Sequence, residues 1–245
     1  MNEGVTQSAA CRRLPVGNTY NLRDIGDYQV ADGARTGWGR LFRSDATRFT
    51  AGADLADLGL RTVIDLRDDV EVTALPTGLD AFVPNVLRRA LDPRSLVSAL
   101  SANSPDPLGD LYVALLHERG AELTTIVADL ARPGALPALV HCAAGKDRTG
   151  VVIALVLSAI GVPDDVVATD YALTADYLTA EFFAALPTES GAADPADAAL
   201  HGARPESMTA MLRVLSAEYG GARAFLTGHG LPNEAIDHLH TALTH

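Results

Sequence analysis

Cys142 and Arg148 stand with five residues between them in the run Val140-His141-Cys142-Ala143-Ala144-Gly145-Lys146-Asp147-Arg148-Thr149-Gly150. A thiol is a weak nucleophile near its free pKa of about 8.5, but a helix N-terminus and adjacent cations stabilise the thiolate. This run sits between a strand-like and a helix-like apolar stretch, so Cys142 has both. The small residues Ala143, Ala144 and Gly145 let successive backbone N–H groups converge on one point, a nest for a tetrahedral oxyanion. Arg148, at the helix entrance, can grip two phosphate oxygens as a planar fork, which lysine cannot. The chemistry suited to these residues is nucleophilic attack by sulfur on a bound phosphate ester.

The other loop residues have readings of their own. Lys146 is the only lysine in a chain that otherwise uses arginine for positive charge. Beside Cys142 it adds charge for an extra phosphate or for the transition state. The Thr149 hydroxyl can donate to the thiolate, and His141 braces the loop backbone rather than transferring a proton. Asp147 carries two readings: a general acid that protonates the leaving oxygen, or a salt bridge orienting Arg148 or another arginine. A bare Cys-x5-Arg spacing arises by chance. It is the strand before it, the small residues, Arg148-Thr149 and the helix after it that make this one specific.

The elements that must position this loop are legible in outline. Gly39 to Arg43 reads as a short strand, Thr50 as the cap of a short helix over Ala51 to Leu58, and Arg61 to Leu66 as a buried strand. Phe82 to Leu87 reads as another strand, and Pro107 to Glu118 and Ala121 to Leu130 have helical periodicity. Ala138 to His141 enters the cysteine loop, and Thr149 to Ile160 leaves it as a helix stopped by Gly161 and Pro163. This alternation predicts an α/β fold with a central, mostly parallel sheet flanked by helices. After Pro163 the strand signals cease. Asp164 to Thr174, Ala175 to Leu186, Pro205 to Ala217, Ala222 to Thr227 and Pro232 to Leu243 read as helices, with Pro187 to Ala203 as a connector. Asp92 to Gly109 is a second irregular stretch. One domain over 1–245 is expected, with an α/β core over 12–162, the cysteine loop at 141–149 and a helical part over 163–245.

Composition narrows the partners. A net charge of −12 argues against nucleic acid or an anionic membrane as a bulk electrostatic partner. Residues 1–148 hold 16 Lys and Arg against 19 Asp and Glu, and 149–245 hold 3 against 12, so an anionic substrate needs a local positive site in the N-terminal part. The run Val151 to Val162 is too short to span a bilayer, and no signal-peptide pattern follows Met1, so a cytoplasmic place is expected. Cys11 and Cys142 lack framework spacing, which disfavours a structural disulfide. Cys11 reads as an incidental thiol, with a redox partner of Cys142 as the alternative. The seven histidines show no metal-ligand spacing. No metal or cofactor is expected.

The motif His-Cys-x-x-Gly-Lys-Asp-Arg-Thr-Gly resembles the loop of the bacterial tyrosine and dual-specificity phosphatases, the group of mycobacterial protein tyrosine phosphatase B and the listerial lipid phosphatase. Asn21-Leu22-Arg23-Asp24-Ile25-Gly26, Gly39-Arg40-Leu41-Phe42-Arg43-Ser44, Thr62-Val63-Ile64-Asp65-Leu66-Arg67 and Asp170-Tyr171 are similar to that family too. The resemblance implies a metal-free, two-step reaction. Cys142 attacks phosphorus, Arg148 and the loop amides of Ala143, Ala144, Gly145 and Lys146 hold the equatorial oxygens, and Asp147 protonates the leaving group. It also implies a C-terminal helical lid. No Trp-Pro-Asp sequence exists, so Asp65 and then Asp92 stand as alternative acids, with Asp65 favoured in a support role beside neighbouring arginines. Arg23, Asp24, Arg43 and Arg67 are expected around the site as a polar shell.

The function this predicts is a cysteine-dependent phosphomonoester hydrolase acting on phosphotyrosine-like substrates, with phosphoserine, phosphothreonine or phosphoinositides as further substrates. Alternatives are a phosphatase of a small metabolite such as a nucleotide or sugar phosphate, sulfur transfer or arsenate reduction, and a non-catalytic phosphate-binding module. The partner expected is a phosphorylated protein or small phosphomonoester, without nucleic acid or stable membrane insertion.

Overall fold

The sheet is built where the sequence is most apolar and β-branched. A computed structural model describes residues 12–14, 16–17, 19–46, 52–97, 104–185 and 202–245. Cys11, the Thr50 cap and residues 187–201 of the connector lie outside the described residues. Five strands, β1 (Arg23–Asp24), β2 (Leu41–Ser44), β3 (Thr62–Asp65), β4 (Asn85–Arg88) and β5 (Ala138–His141), lie in the order β1-β2-β5-β3-β4. β1 pairs antiparallel with β2; the other pairings are parallel. The expected mostly parallel sheet is therefore present.

Side chains alternate across a strand with a period of two, and the two faces of this sheet bury different cores. Leu41, Ile64, Ala138 and Val140 turn to a large core, while Phe42, Val63 and Leu139 turn to a small one with Leu22, Leu55, Leu60, Leu79 and Val83. The large core is helical. It takes in α3 (Pro107–Glu118), α4 (Gly120–Leu130), α5 (Asp147–Ala159), α6 (Asp164–Ala172) and the C-terminal α9 (Pro205–Tyr219), α10 (Ala222–Gly228) and α11 (Asn233–Leu243). The short helices α1 (Asp69–Ala74) and α2 (Arg94–Val97) precede them in sequence, and α7 (Thr174–Tyr177) and α8 (Ala180–Ala185) lie between α6 and α9. The small core is covered instead by 3-10 turns at Gly52–Leu58 and Leu79–Ala81. No helix among the described residues is long and apolar enough to cross a membrane.

α5 is the central helix, buried from Arg148 through Leu157, and a helix apolar on every side must be enclosed on every side. Truncating one of its leucines, as in Leu155→Ala, costs roughly 2–5 kcal/mol. It starts at Asp147, two residues before the expected Thr149, with Lys146 at the N-cap position and the acidic Asp147 side chain stabilised in the first turn. The consequence is functional: Asp147 and Arg148 are helix residues, held by the most deeply buried element of the fold.

Other boundaries moved for identifiable reasons. The expected helix Asp164 to Thr174 ends at Ala172, where the buried Arg23 takes the Asp170 carbonyl at 2.9 Å and the Thr174 hydroxyl at 3.1 Å. The strand expected from Phe82 begins at Asn85, since Phe82 follows a 3-10 turn and is exposed. The helix Asp69–Ala74 was not expected. It is nucleated by a capping box in which Asp68 accepts from Glu71 N and Glu71 accepts from Asp68 N. Strand register sets Ser44, His141, Asp65 and Arg88 side by side at the carboxyl ends of β2, β5, β3 and β4. In parallel α/β sheets that edge is where sites are built.

Candidate active site

The cysteine loop is held open by its carbonyls. Ala143 O accepts from Ala46 N at 2.9 Å, Ala144 O from Asn21 Nδ2 at 2.9 Å, and Gly145 O from Asn21 Nδ2 at 3.1 Å and Arg43 Nη2 at 2.8 Å. Lys146 O accepts from Gly150 N at 2.7 Å and Arg43 Nη2 at 3.5 Å. In a planar trans peptide the following N–H points opposite to the carbonyl. Four carbonyls drawn to outside partners therefore turn the amides of Ala144, Gly145, Lys146 and Asp147 to the other side of the loop. Successive amides arranged this way form an anion-binding concavity.

Gly145 is needed for this path. Its φ is +66°, and a Cβ there would lie 2.3 Å from Ser44 O and 2.6 Å from Asp45 N. Asn21 is itself fixed, because Asp45 Oδ1 accepts from Tyr20 N at 2.9 Å and Asn21 N at 2.6 Å. Arg43 is fully buried and gives Nη1 to Asp170 Oδ2 at 2.7 Å. Burial alone would raise the Asp170 pKa, but Arg23 and Arg43, with a hydrogen bond from Tyr28, hold it down to about 2. Asp170 thus stays ionised and pins both arginines.

Arg148 is oriented by Glu71, a residue that the sequence reading missed. Its Nη1 and Nη2 donate to the two carboxylate oxygens at 2.7 and 2.6 Å, and Nη1 also lies 3.3 Å from Leu66 O. A guanidinium has five N–H donors. Two go to Glu71 and one to Leu66, which leaves the Nε–H and the second Nη2–H, neighbours on one edge. That edge is the fork that matches two oxygens of a phosphate. Burial opposes the charge, but the Glu71 contact and the fields of Cys142, Glu71 and Asp147 raise the Arg148 pKa above its ordinary value. The available signal was the Asp68-x-x-Glu71 capping pattern directly after strand β3.

Cys142 is a free thiol, 3% exposed, at the end of β5. His141 is fully buried, with Nδ1 at 3.4 Å from Cys142 O and Nε2 at 3.8 Å from Asp65 Oδ2. Burial pulls its pKa down to about 4, against the opposing Asp65 charge. With its pKa held that low by burial, the imidazole is neutral at physiological pH. Asp65 is committed to Arg67, which donates Nε at 2.9 Å and Nη2 at 2.7 Å and itself reaches Leu75 O at 2.7 Å. Burial would raise the Asp65 pKa, yet Arg67 and His141 bring it below the ordinary value. Asp92 caps Arg94 N and pairs with the Arg94 guanidinium at 2.9 Å, largely in solvent. Asp65 and Asp92 are thus each paired with an arginine.

Among the described residues Asp147 makes neither of the arginine bridges considered for it. Its Oδ1 accepts from Tyr112 OH at 2.5 Å and lies 3.5 Å from Lys146 Nζ, which also reaches Gly202 O at 3.3 Å. The Thr149 hydroxyl is buried with no hydrogen-bond partner among the described residues and makes no bond to Cys142. Asp24 is not part of the polar shell: it accepts from Gly26 N at 2.8 Å and Gly39 N at 2.7 Å, closing the turn between β1 and β2. No group of three or more His, Cys, Asp and Glu among the described residues is placed to hold a metal ion.

Comparison with known proteins agrees with this geometry. The model of a tyrosine phosphatase family matches residues 14–245. The chain belongs to the tyrosine phosphatase family. A tyrosine-protein phosphatase of Nostoc commune is 30% identical over 204 residues, covering 77% of this chain and 68% of that protein. The triple specificity protein phosphatase PtpB of Mycobacterium tuberculosis is 34% identical over 200 residues, covering 66% of this chain and 68% of that protein. The crystal structure of P. aeruginosa TpbA is a weaker likeness, with a TM-score of 0.37 and 18% identity over 74% of this chain and 93% of that one. As a tyrosine phosphatase family member, the chain is a phosphatase with a cysteine-dependent, tyrosine-phosphatase-like function.

Proposed function

We propose that this phosphatase hydrolyses phosphomonoesters in two steps through a cysteinyl phosphate, with Cys142, Arg148 and Asp147 as the reacting and charge-holding groups. The carrying observation is the outward set of loop carbonyls, from Ala143 to Lys146, beside the free Nε/Nη2 edge of Arg148. Both features support a reading in which these donors meet the equatorial oxygens of a phosphoryl group, where charge collects in the transition state.

In the first step the Cys142 thiolate attacks phosphorus and the bond to the leaving oxygen breaks. Asp147 gives that oxygen its proton. In the second step water attacks the cysteinyl phosphate, Asp147 takes the water's proton, and phosphate leaves as the thiolate re-forms. His141, neutral and enclosed, plays no proton-transfer part. Asp65, paired with Arg67, lies 3.8 Å from His141 Nε2 on the adjacent strand, and Arg43 holds the loop from the other side. Lys146 lends charge at the rim. The helices after Pro163 share the large core with the sheet, which supports treating residues 1–245 as one catalytic unit.

Phosphotyrosine is the favoured substrate class. The sulfur is nearly enclosed, so the phosphorus must travel inward to meet it, and an aryl phosphate extends farther from its backbone than phosphoserine does. The relative named as a triple specificity phosphatase motivates including phosphoserine, phosphothreonine and phosphoinositides in the assay. The test is phosphate release from p-nitrophenyl phosphate, phosphopeptides, phosphoinositides and nucleotide phosphates in EDTA. Cys142→Ser should abolish it. Folded wild-type protein that binds phosphate analogues but turns over none of these would sink the hydrolase reading, and dependence on a divalent ion would sink the thiolate mechanism.

A further inference from the structure

Two donors meet Asp147 on the same oxygen. Tyr112 OH, from α3, lies 2.5 Å from Oδ1, and Lys146 Nζ lies 3.5 Å from the same atom. Tyr112 is fully buried, and its OH is also 2.5 Å from Tyr171 OH. A phenol has one proton to give. If Tyr112 gives it to the carboxylate, which as an anion only accepts, Tyr171 must be the donor to Tyr112. The order is Tyr171 to Tyr112 to Asp147. Burial first, then the Asp147 charge, raises the pKa of both phenols well above the ordinary value, so both keep the protons that this chain of donors needs.

The packing leaves little freedom. The two rings meet edge to face at 5.7 Å between centroids. Tyr171 is seated against the first turn of α5, where a Cβ on Gly150 would come within 2.9 Å of its ring. Gly150, one turn after Lys146, is thus the residue that lets Tyr171 stand beside Tyr112.

We propose that Tyr112 is the positioning residue of the general acid: by occupying Oδ1 it assigns the transferable proton to Oδ2 and aims that oxygen at the leaving group, with Tyr171 fixing Tyr112. This deepens the reading of Asp147 as the acid and rests on it. An acid free to rotate offers either oxygen, and general-acid transfer requires hydrogen-bond reach in the reacting geometry. No proton leaves Tyr112. It donates a hydrogen bond before and after the step.

The test compares Tyr112→Phe, Tyr171→Phe, Asp147→Asn and the double variant Tyr112→Phe/Asp147→Asn on p-nitrophenyl phosphate and on alkyl phosphates. The expected result for Tyr112→Phe is a kcat loss on the order of tenfold on alkyl phosphates, a small part of what general acids contribute, and little loss on the good p-nitrophenolate leaving group. Tyr171→Phe should show the same pattern more weakly. The double variant should be no slower than Asp147→Asn alone, because groups that act as one unit are not additive. A purely structural tyrosine would instead slow all substrates alike and multiply the Asp147→Asn defect; either result, in protein folded by circular dichroism, overturns the proposal. If Asp147→Asn itself shows no dependence on leaving group, the assignment of the acid fails and takes this proposal with it. Leaving-group dependence in Asp147→Asn without it in Tyr112→Phe overturns the tyrosine's role alone.

Discussion

Glu71 holds Arg148 by both terminal nitrogens, at 2.7 and 2.6 Å, while its own carboxylate also accepts from the Asp68 backbone at 3.0 Å. One side chain therefore closes the cap of α1 and orients the Arg148 guanidinium. Glu71→Gln keeps the volume but breaks the paired contact. We expect kcat/KM to fall about 10- to 100-fold, as misplacing a binding group by about 1 Å does, with weaker inhibition by phosphate analogues. Unchanged kinetics and unchanged analogue binding would show that Arg148 is oriented without Glu71.

Gly145→Ala should remove activity more completely than it removes stability. The new Cβ meets main-chain atoms of Ser44 and Asp45 rather than a flexible side chain, and φ is +66°, so the loop itself must move. The amides that follow lose their common direction. Turnover at background level with a cooperative thermal transition is the expected pair of observations. Near-native turnover would mean that the loop tolerates another path.

Asp170→Asn leaves Arg23 and Arg43 buried together without their shared anion. Breaking a buried pair in this way costs about 3–5 kcal/mol, measurable by urea denaturation. The pH dependence has a defined sign. The folded pKa of about 2 is below the ordinary 3.8, so Asp170 contributes stability that is complete above pH 4 and disappears as pH falls toward 2. The Asn variant should lack that component of acid destabilisation. An equal slope in both proteins over this window would refute it.

His141 produces a separate acid component at higher pH. Its folded pKa of about 4 is below the ordinary 6.5, so the unfolded chain takes up the proton first, and stability is lost as pH falls from 6.5 toward 4. In His141→Gln the curve should be flatter over that range. If the ring transfers no proton, as proposed, the variant's activity loss should be the same at pH 6 and pH 8; a loss that changes across this interval would mark the imidazole as an acid or base.

Thr149→Val replaces a buried hydroxyl that lacks a hydrogen-bond partner among the described residues with a methyl of similar shape. Removing an unsatisfied buried polar group should leave stability unchanged or raise it by about 1 kcal/mol. If the hydroxyl serves the thiolate as it leaves phosphorus, breakdown of the cysteinyl phosphate slows, seen as a larger burst before steady state. Loss of stability without any change in the burst would assign Thr149 to structure instead.

The proposed reacting groups could be named from the linear sequence because the chemistry asked of them is local. Cys142, Gly145, Asp147, Arg148 and Thr149 lie within one turn and one helical entry, and the neighbours that define their surroundings are a few residues away. The strands Thr62–Asp65 and Ala138–His141 and the helix Pro107–Glu118 were legible for a similar reason, since runs of β-branched residues and a 3.6-residue apolar period are statements about adjacent positions.

What holds the site came from far away in the chain, and only the tertiary structure decided it. Glu71, Asp170 and Tyr112 touch the loop or its supports from three different elements, and no spacing rule links position 71 to 148 or 112 to 147. The same holds for Asp24, whose type and position suited a polar shell but whose carboxylate closes a turn instead. A carboxylate or phenol carries no mark of which partner it will meet; that is set by strand register and by which helix face is buried. Sequence by itself thus points to the proposed nucleophile and anion cradle, because these are short-range backbone and side-chain chemistry. Packing determines which partner each carboxylate meets, which arginine is clamped and which oxygen of Asp147 Tyr112 occupies, because those are properties of groups brought together only when the sheet and helices close around them.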